Sequence, residues 1–93
     1  MKDIVITIPK EFTVNEASQF REKTLEFLRR GETSFVLDFS QCTFIDSIGL
    51  GVLVATYKKC AEINGRFRLQ SLNSEVMKVF KLTRLNKVFD IHG

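Results

Sequence analysis

The 93 residues are 44% hydrophobic and 27% charged, with nine Phe and no Trp, the make-up of an ordinary globular domain that buries roughly 60 to 70% of its unfolded surface. Two cysteines without metal-like spacing, no apolar run near the roughly 18 to 20 residues of a bilayer span, and no basic-then-apolar leader argue against a metal centre, a membrane segment and secretion. The expectation is one domain, residues 1–93, in a reducing cytoplasm, with Cys42 and Cys60 as small core hydrophobes.

The net charge of +3 is uneven: residues 1–57 carry six Lys/Arg against eight Asp/Glu, residues 58–93 eight against three. Cations spread out as Lys58, Lys59, Lys78, Lys81 and Lys87 describe a solvated face more readily than an acidic-ligand site.

In chain order, Ile4, Ile6 and Ile8 alternate with Val5 and Thr7 until Pro9, which predicts a short strand ended by a turn. Thr13 and Glu16 make a capping box, with Phe12 placed to staple onto Ala17. A helix follows, with Val14, Ala17, Phe20, Thr24, Phe27 and Leu28 on its apolar face and Gly31 at its end. Ser34 to Ser40 (SFVLDFS) is nearly continuous in apolar character, as in a central strand covered on both faces. After the loop Gln41-Cys42-Thr43 comes Phe44 to Leu53, FIDSIGLGVL, and a second helix is predicted from Asp46 or Ser47 to Asn64-Gly65. Phe67 and Leu69 alternate with Arg66, Arg68 and Gln70 as a third strand with one wet face. Asn73 or Ser74 caps a third helix carrying Val76, Val79, Phe80 and Leu82, and Val88, Phe89 and Ile91 form a last, strand-like patch. The order βαβαβαβ predicts an α/β layer architecture, at least partly parallel, with right-handed crossovers.

In such sheets ligands meet the loops between strand carboxyl ends and helix N-termini, where FIDSIGLGVL lies. Asp46 and Ser47 suit a helix cap, worth about 1 kcal/mol. Capping leaves Gly49 and Gly51 unexplained, since each costs up to about 1 kcal/mol in a helix relative to Ala. Glycine there permits close approach, either of the neighbouring strand or of another molecule. A nucleophile elbow fails because Ile45 stands where G-x-S-x-G needs glycine, and the sole histidine is His92. A dinucleotide fingerprint fails because Val54 takes the third glycine position. Nucleic-acid binding lacks aromatic-basic interleaving or a recognisable motif. Two readings of Ser47 remain: a plain cap, or an exposed hydroxyl where free amides and the helix dipole favour an added phosphoryl group.

Residues 36–91 resemble the STAS domain of bacterial anti-sigma factor antagonists. The resemblance is carried by an apolar strand, Phe44-Ile45-Asp46-Ser47-x-Gly49-Leu50-Gly51, a helix closed by Asn64-Gly65, and Val76-x-x-Val79-Phe80-x-Leu82-Thr83-x-Leu85. It implies a STAS-type mixed β-sheet of about four strands with three or four helices packed against it. It also implies a partner switch without enzymatic activity or cofactor. Unphosphorylated antagonist binds an ATP-binding anti-sigma factor that is also a serine kinase, releasing a sigma factor or other target; the kinase phosphorylates the motif serine and a PPM-type phosphatase reverses it. Carried over, Ser47 is the phosphoacceptor, Asp46, Ile48, Gly49 and Leu50 form the contact surface beside it, and Thr13 and Asn15 lie in a secondary contact loop. Neither nucleic acid nor membrane is a direct partner in this reading. Family members usually have another strand before the first one here and a further helix after the last. Ile48 stands where the family often has a small or hydroxylated residue, and Thr13 where several antagonists have an acidic one. The alternative is a non-phosphorylated STAS scaffold subunit of a transporter or signalling complex.

Overall fold

A computed structural model describes residues 2–93. The strands in chain order are β1 (Ile4–Thr7), β2 (Glu11–Phe12), β3 (Ser34–Asp38), β4 (Phe44–Ile45), β5 (Arg66–Gln70) and β6 (Asp90–His92), of which four form one sheet in the order β1-β3-β5-β6. Neighbours are joined through α1 (Val14–Arg29), α2 (Ser47–Glu62) and α3 (Ser74–Leu82), and a 3₁₀ turn at Leu85–Lys87 leads into β6. The α/β architecture and the alternation of strands with helices match the expectation, but the sheet is parallel at every pairing instead of mixed. Each connection spends a helix on the crossover, and a chain returned by a helix re-enters the sheet in the same direction.

Register explains which residues make the core. Ile6, Leu37, Leu69 and Ile91 lie side by side across the four strands, and Ile4, Phe35 and Phe67 form the next row. These rows face the helices. The alternate row, Val5, Val36, Arg68 and Asp90, lies on the other face, where Arg68 bonds Asp3 at 2.7 Å. β3 is buried at Ser34, Phe35, Val36 and Leu37 and is central as expected, between β1 and β5, but the helices lie on only one of its faces; Val36 on the other face lies between Val5 and Arg68 of the neighbouring strands. Phe39, Phe80, Phe89, Phe67 and Tyr57 continue the core as edge-on and tilted ring pairs 5.3 to 6.1 Å apart.

Several local expectations change. Gly31 takes φ 90° and its amide donates to the Leu28 carbonyl while that of Glu32 donates to Phe27, the bonding of a left-handed helix end. At the end of α2, by contrast, Asn64 adopts the left-handed conformation at φ 56°. Gly65 is instead needed for space, since a Cβ there would lie 2.6 Å from the Thr33 carbonyl oxygen. Thr13 caps α1 by position, but its hydroxyl donates to the Glu16 carboxylate at 2.9 Å and does not accept a helix amide. Phe12 and Ala17 are both fully buried, consistent with the staple. Val14 and Leu82, assigned to apolar faces, are exposed; they are the first residue of α1 and the last of α3. Cys42 and Cys60 are free and buried.

Candidate functional site

A second, two-stranded sheet positions the site. β2 (Glu11–Phe12) pairs in parallel with β4 (Phe44–Ile45), with Phe12 opposite Ile45. Both chains then enter helices, so the cap positions Thr13 and Asp46 leave the same small ladder side by side. That juxtaposition brings Thr13, Val14 and Asn15 beside Asp46, Ser47 and Ile48, two segments more than thirty residues apart in sequence.

Asp46 is the N-cap of α2, extended at φ −107° and ψ −177°. Its Oδ1 accepts the Gly49 amide at 2.9 Å and its carbonyl oxygen accepts the Leu50 amide at 3.0 Å. The amides of Ser47 and Ile48, the first two of the helix, have no carbonyl in the preceding turn to bond. They form the positive end of the helix dipole, and Ser47 is exposed on top of it. Asp46 itself is half-buried.

Fewer of the expected contact residues are exposed than the motif implied. Ile48 is exposed, but Gly49 and Leu50 turn inward and are buried. A Cβ on Gly49 would lie 2.8 Å from the Phe12 ring and 3.1 Å from Ile45, and closer still to the Phe12 carbonyl oxygen. Gly49 is therefore what lets α2 sit on the β2–β4 ladder. Asn15 is exposed and Thr13 half-buried.

Asp46 adjoins Ser47 in the chain, and Glu16 lies near enough to Asp46 for their charges to interact. Hydrogen bonds from its own backbone amide and from Thr13 hold the Glu16 carboxyl below its usual value, against burial and the charge of Asp46. Two apolar side chains overlooked in the sequence join the surface: Val14 and Phe44 are each about half exposed. Phe44 edges a groove of about 300 Å³ shared with Thr43, Ile45, Glu75, Val76 and Val79. The out-in alternation of Phe44 and Ile45 is the only signal of this strand, and two residues are too few to set a period. His92 lies on the face of the sheet turned from the helices and pairs with Asp90 at 2.9 Å. It is the only histidine, and nothing couples it to Ser47. Among the described residues no helix is long and apolar enough to cross a membrane.

A family model described as the STAS domain matches residues 2–93. The chain belongs to the STAS domain family. A Thermotoga maritima protein described as a candidate anti-sigma factor antagonist is 36% identical over 92 residues, covering 97% of this chain and 81% of its own length. The anti-sigma-B factor antagonist of Bacillus subtilis is 30% identical over 89 residues, covering 96% and 81%. Among solved structures, SpoIIAA in its unphosphorylated form superposes with a TM-score of 0.78 at 22% identity, over 98% of this chain and 79% of that one. Its likeness concerns the fold: the same parallel sheet and helices carry this STAS chain.

Proposed function

We propose that this STAS chain is a cytoplasmic anti-sigma factor antagonist that switches partners through Ser47. Unphosphorylated, it binds an anti-sigma factor of the ATP-binding serine kinase type and frees a sigma factor or other target. The kinase phosphorylates Ser47, the complex separates, and a PPM-type phosphatase restores the binding form. Ser47 accepts the phosphoryl group, while Asp46, Ile48, Asn15 and Thr13 meet the partner. Gly49 and Leu50 contribute from beneath by fixing the turn that presents them. The chain performs no catalysis in this reading.

The observation that carries the reading is the exposure of Ser47 at the start of α2, where the first two helix amides have no helix partner, directly after the Asp46 cap. Backbone donors tolerate an added phosphate, so phosphorylation need not unfold the helix start. The new charge of roughly −1.5 to −2 sits next to the Asp46 carboxylate, and covering both with a partner becomes unfavourable. SpoIIAA, which shares the fold at 23% identity and a TM-score of 0.77, has been solved in its phosphorylated form as well, so this scaffold can carry phosphate. The test is incubation with the serine kinases of the same genome, ATP and magnesium, with the phosphate mapped by mass spectrometry. Phosphate on Ser47 supports the switch; phosphate found only on other residues, or none, refutes it and leaves the scaffold role.

A further inference from the structure

We propose that Gly51 lacks a side chain for the sake of the partner and not of the fold: the kinase's main chain packs directly on the α2 backbone one turn beyond Ser47. The inference rests on reading Ser47 as the phosphoacceptor. It starts from an elimination. Gly31 is required by its φ of +90°, Gly49 by the Phe12 backbone and ring, and Gly65 by Cys60 and Thr33. Gly93 is the last residue. Of the glycines within or bordering a helix, Gly51 alone has no such reason. It lies within α2, outside the left-handed region, exposed, with nothing within 4 Å of where a Cβ would be. Alanine fits there and is the better helix former.

A second observation says what covers it. From Ser47 to Tyr57 the helix carries no charged residue, although Ser47, Ile48, Gly51 and Ala55 are exposed. The exposed surface of α1, by comparison, carries Arg21, Glu22, Lys23, Glu26 and Arg29. A solvated helix face is normally charged, and an uncharged one that begins just after exposed Phe44 fits a surface covered in a complex. Ser47 and Gly51 are four residues apart and so share one side of the helix. A kinase that brings its nucleotide to within about 3 to 3.5 Å of the Ser47 hydroxyl is already over this turn. With no Cβ at Gly51, the two backbones approach as closely as sheet and helix do at Gly49.

The test compares wild type with Gly51→Ala, and with Ala61→Ser at the exposed far end of the same helix. Thermal unfolding should show Gly51→Ala melting about 2 to 6 °C higher. In titrations against the serine kinase shown to modify Ser47, Gly51→Ala should bind about tenfold more weakly or worse, the effect of overpacking a close contact. Ala61→Ser should bind as wild type. The proposal is overturned if Gly51→Ala binds within twofold of wild type, or if it melts lower, which would reveal an internal reason for the glycine. A wild-type chain that is not phosphorylated at Ser47 defeats the switch and this inference together. A chain that is phosphorylated, and whose Gly51→Ala form binds normally, defeats only this one.

Discussion

Replacing Gly49 by alanine would put a methyl carbon 2.8 Å from Cδ2 of Phe12 and 3.1 Å from Cγ1 of Ile45, against a comfortable separation of about 3.5 to 4.0 Å. The nearest obstacle is the backbone carbonyl of Phe12. That carbonyl belongs to β2, which is paired to β4, and the Phe12 ring is fully buried and packed edge-on against Phe20 at 5.4 Å. No flexible side chain can swing away, so α2 and the β2–β4 ladder must separate by about 1 Å. Overpacking of this kind costs about 1 to 3 kcal/mol, and a rigid backbone obstacle places it at the upper end. Alanine's better helix propensity returns up to about 1 kcal/mol. The net loss is about 2 kcal/mol, a fall in Tm of about 8 to 16 °C for a chain of this size. Urea or thermal unfolding of purified Gly49→Ala measures it directly. The contrast with Gly51→Ala sharpens the test, because the same change two residues along the helix carries the opposite sign. A Gly49→Ala variant as stable as wild type would refute the close-approach argument.

Two further outcomes follow from the same geometry. Asp46→Ala removes the acceptor of the Gly49 amide and should destabilise by about 1 kcal/mol, whereas Asp46→Asn, which keeps an acceptor, should lose clearly less in the same melts. Equal losses would assign the effect to charge and not to the cap. Burial raises the pKa of both Cys42 and Cys60. Below the unfolded-state thiol pKa of about 8.5 both thiols are neutral in either state. Above it the unfolded chain releases protons that the folded chain retains, so stability falls as pH rises toward the folded values. A Cys42→Ala/Cys60→Ala variant, though weaker at pH 8, should show a smaller drop in urea midpoint between about pH 8 and 10 than wild type; an equal drop would contradict the assignment.

Most of the fold was legible because its elements have long, distinct periods. The unbroken apolar SFVLDFS run suggested a central strand covered on both faces, and the alternation around Phe67 and Leu69 a strand with one wet face; both strands form where expected and β3 is central, though helices cover only one of its faces. The βαβ order fixed the topology, yet a mixed sheet was expected where every pairing is parallel. The β2–β4 ladder escaped notice because two residues per strand create no pattern, although it sets the Thr13 loop beside Ser47. The site was legible as a place, since the Asp-Ser pair after an apolar strand marks a helix start. It was not legible as a surface. Which side chains point outward depends on how α2 docks on the ladder, and this puts Leu50 inside and Phe44 outside. The two glycines of the motif read alike in sequence and separate only in three dimensions, one pressed on Phe12 and the other bare.

The central claim is that charge at Ser47 decides whether the partner stays bound. Calorimetric titration of the serine kinase with Ser47→Ala and with Ser47→Asp isolates that charge on an otherwise intact surface. Burying an added anion beside Asp46 carries a penalty of about 3 kcal/mol, more than a hundredfold in affinity for a full phosphate, and aspartate should reproduce a substantial part of it. Tight binding by Ser47→Ala with marked weakening in Ser47→Asp is the predicted result. Equal affinities for the two variants would contradict the account.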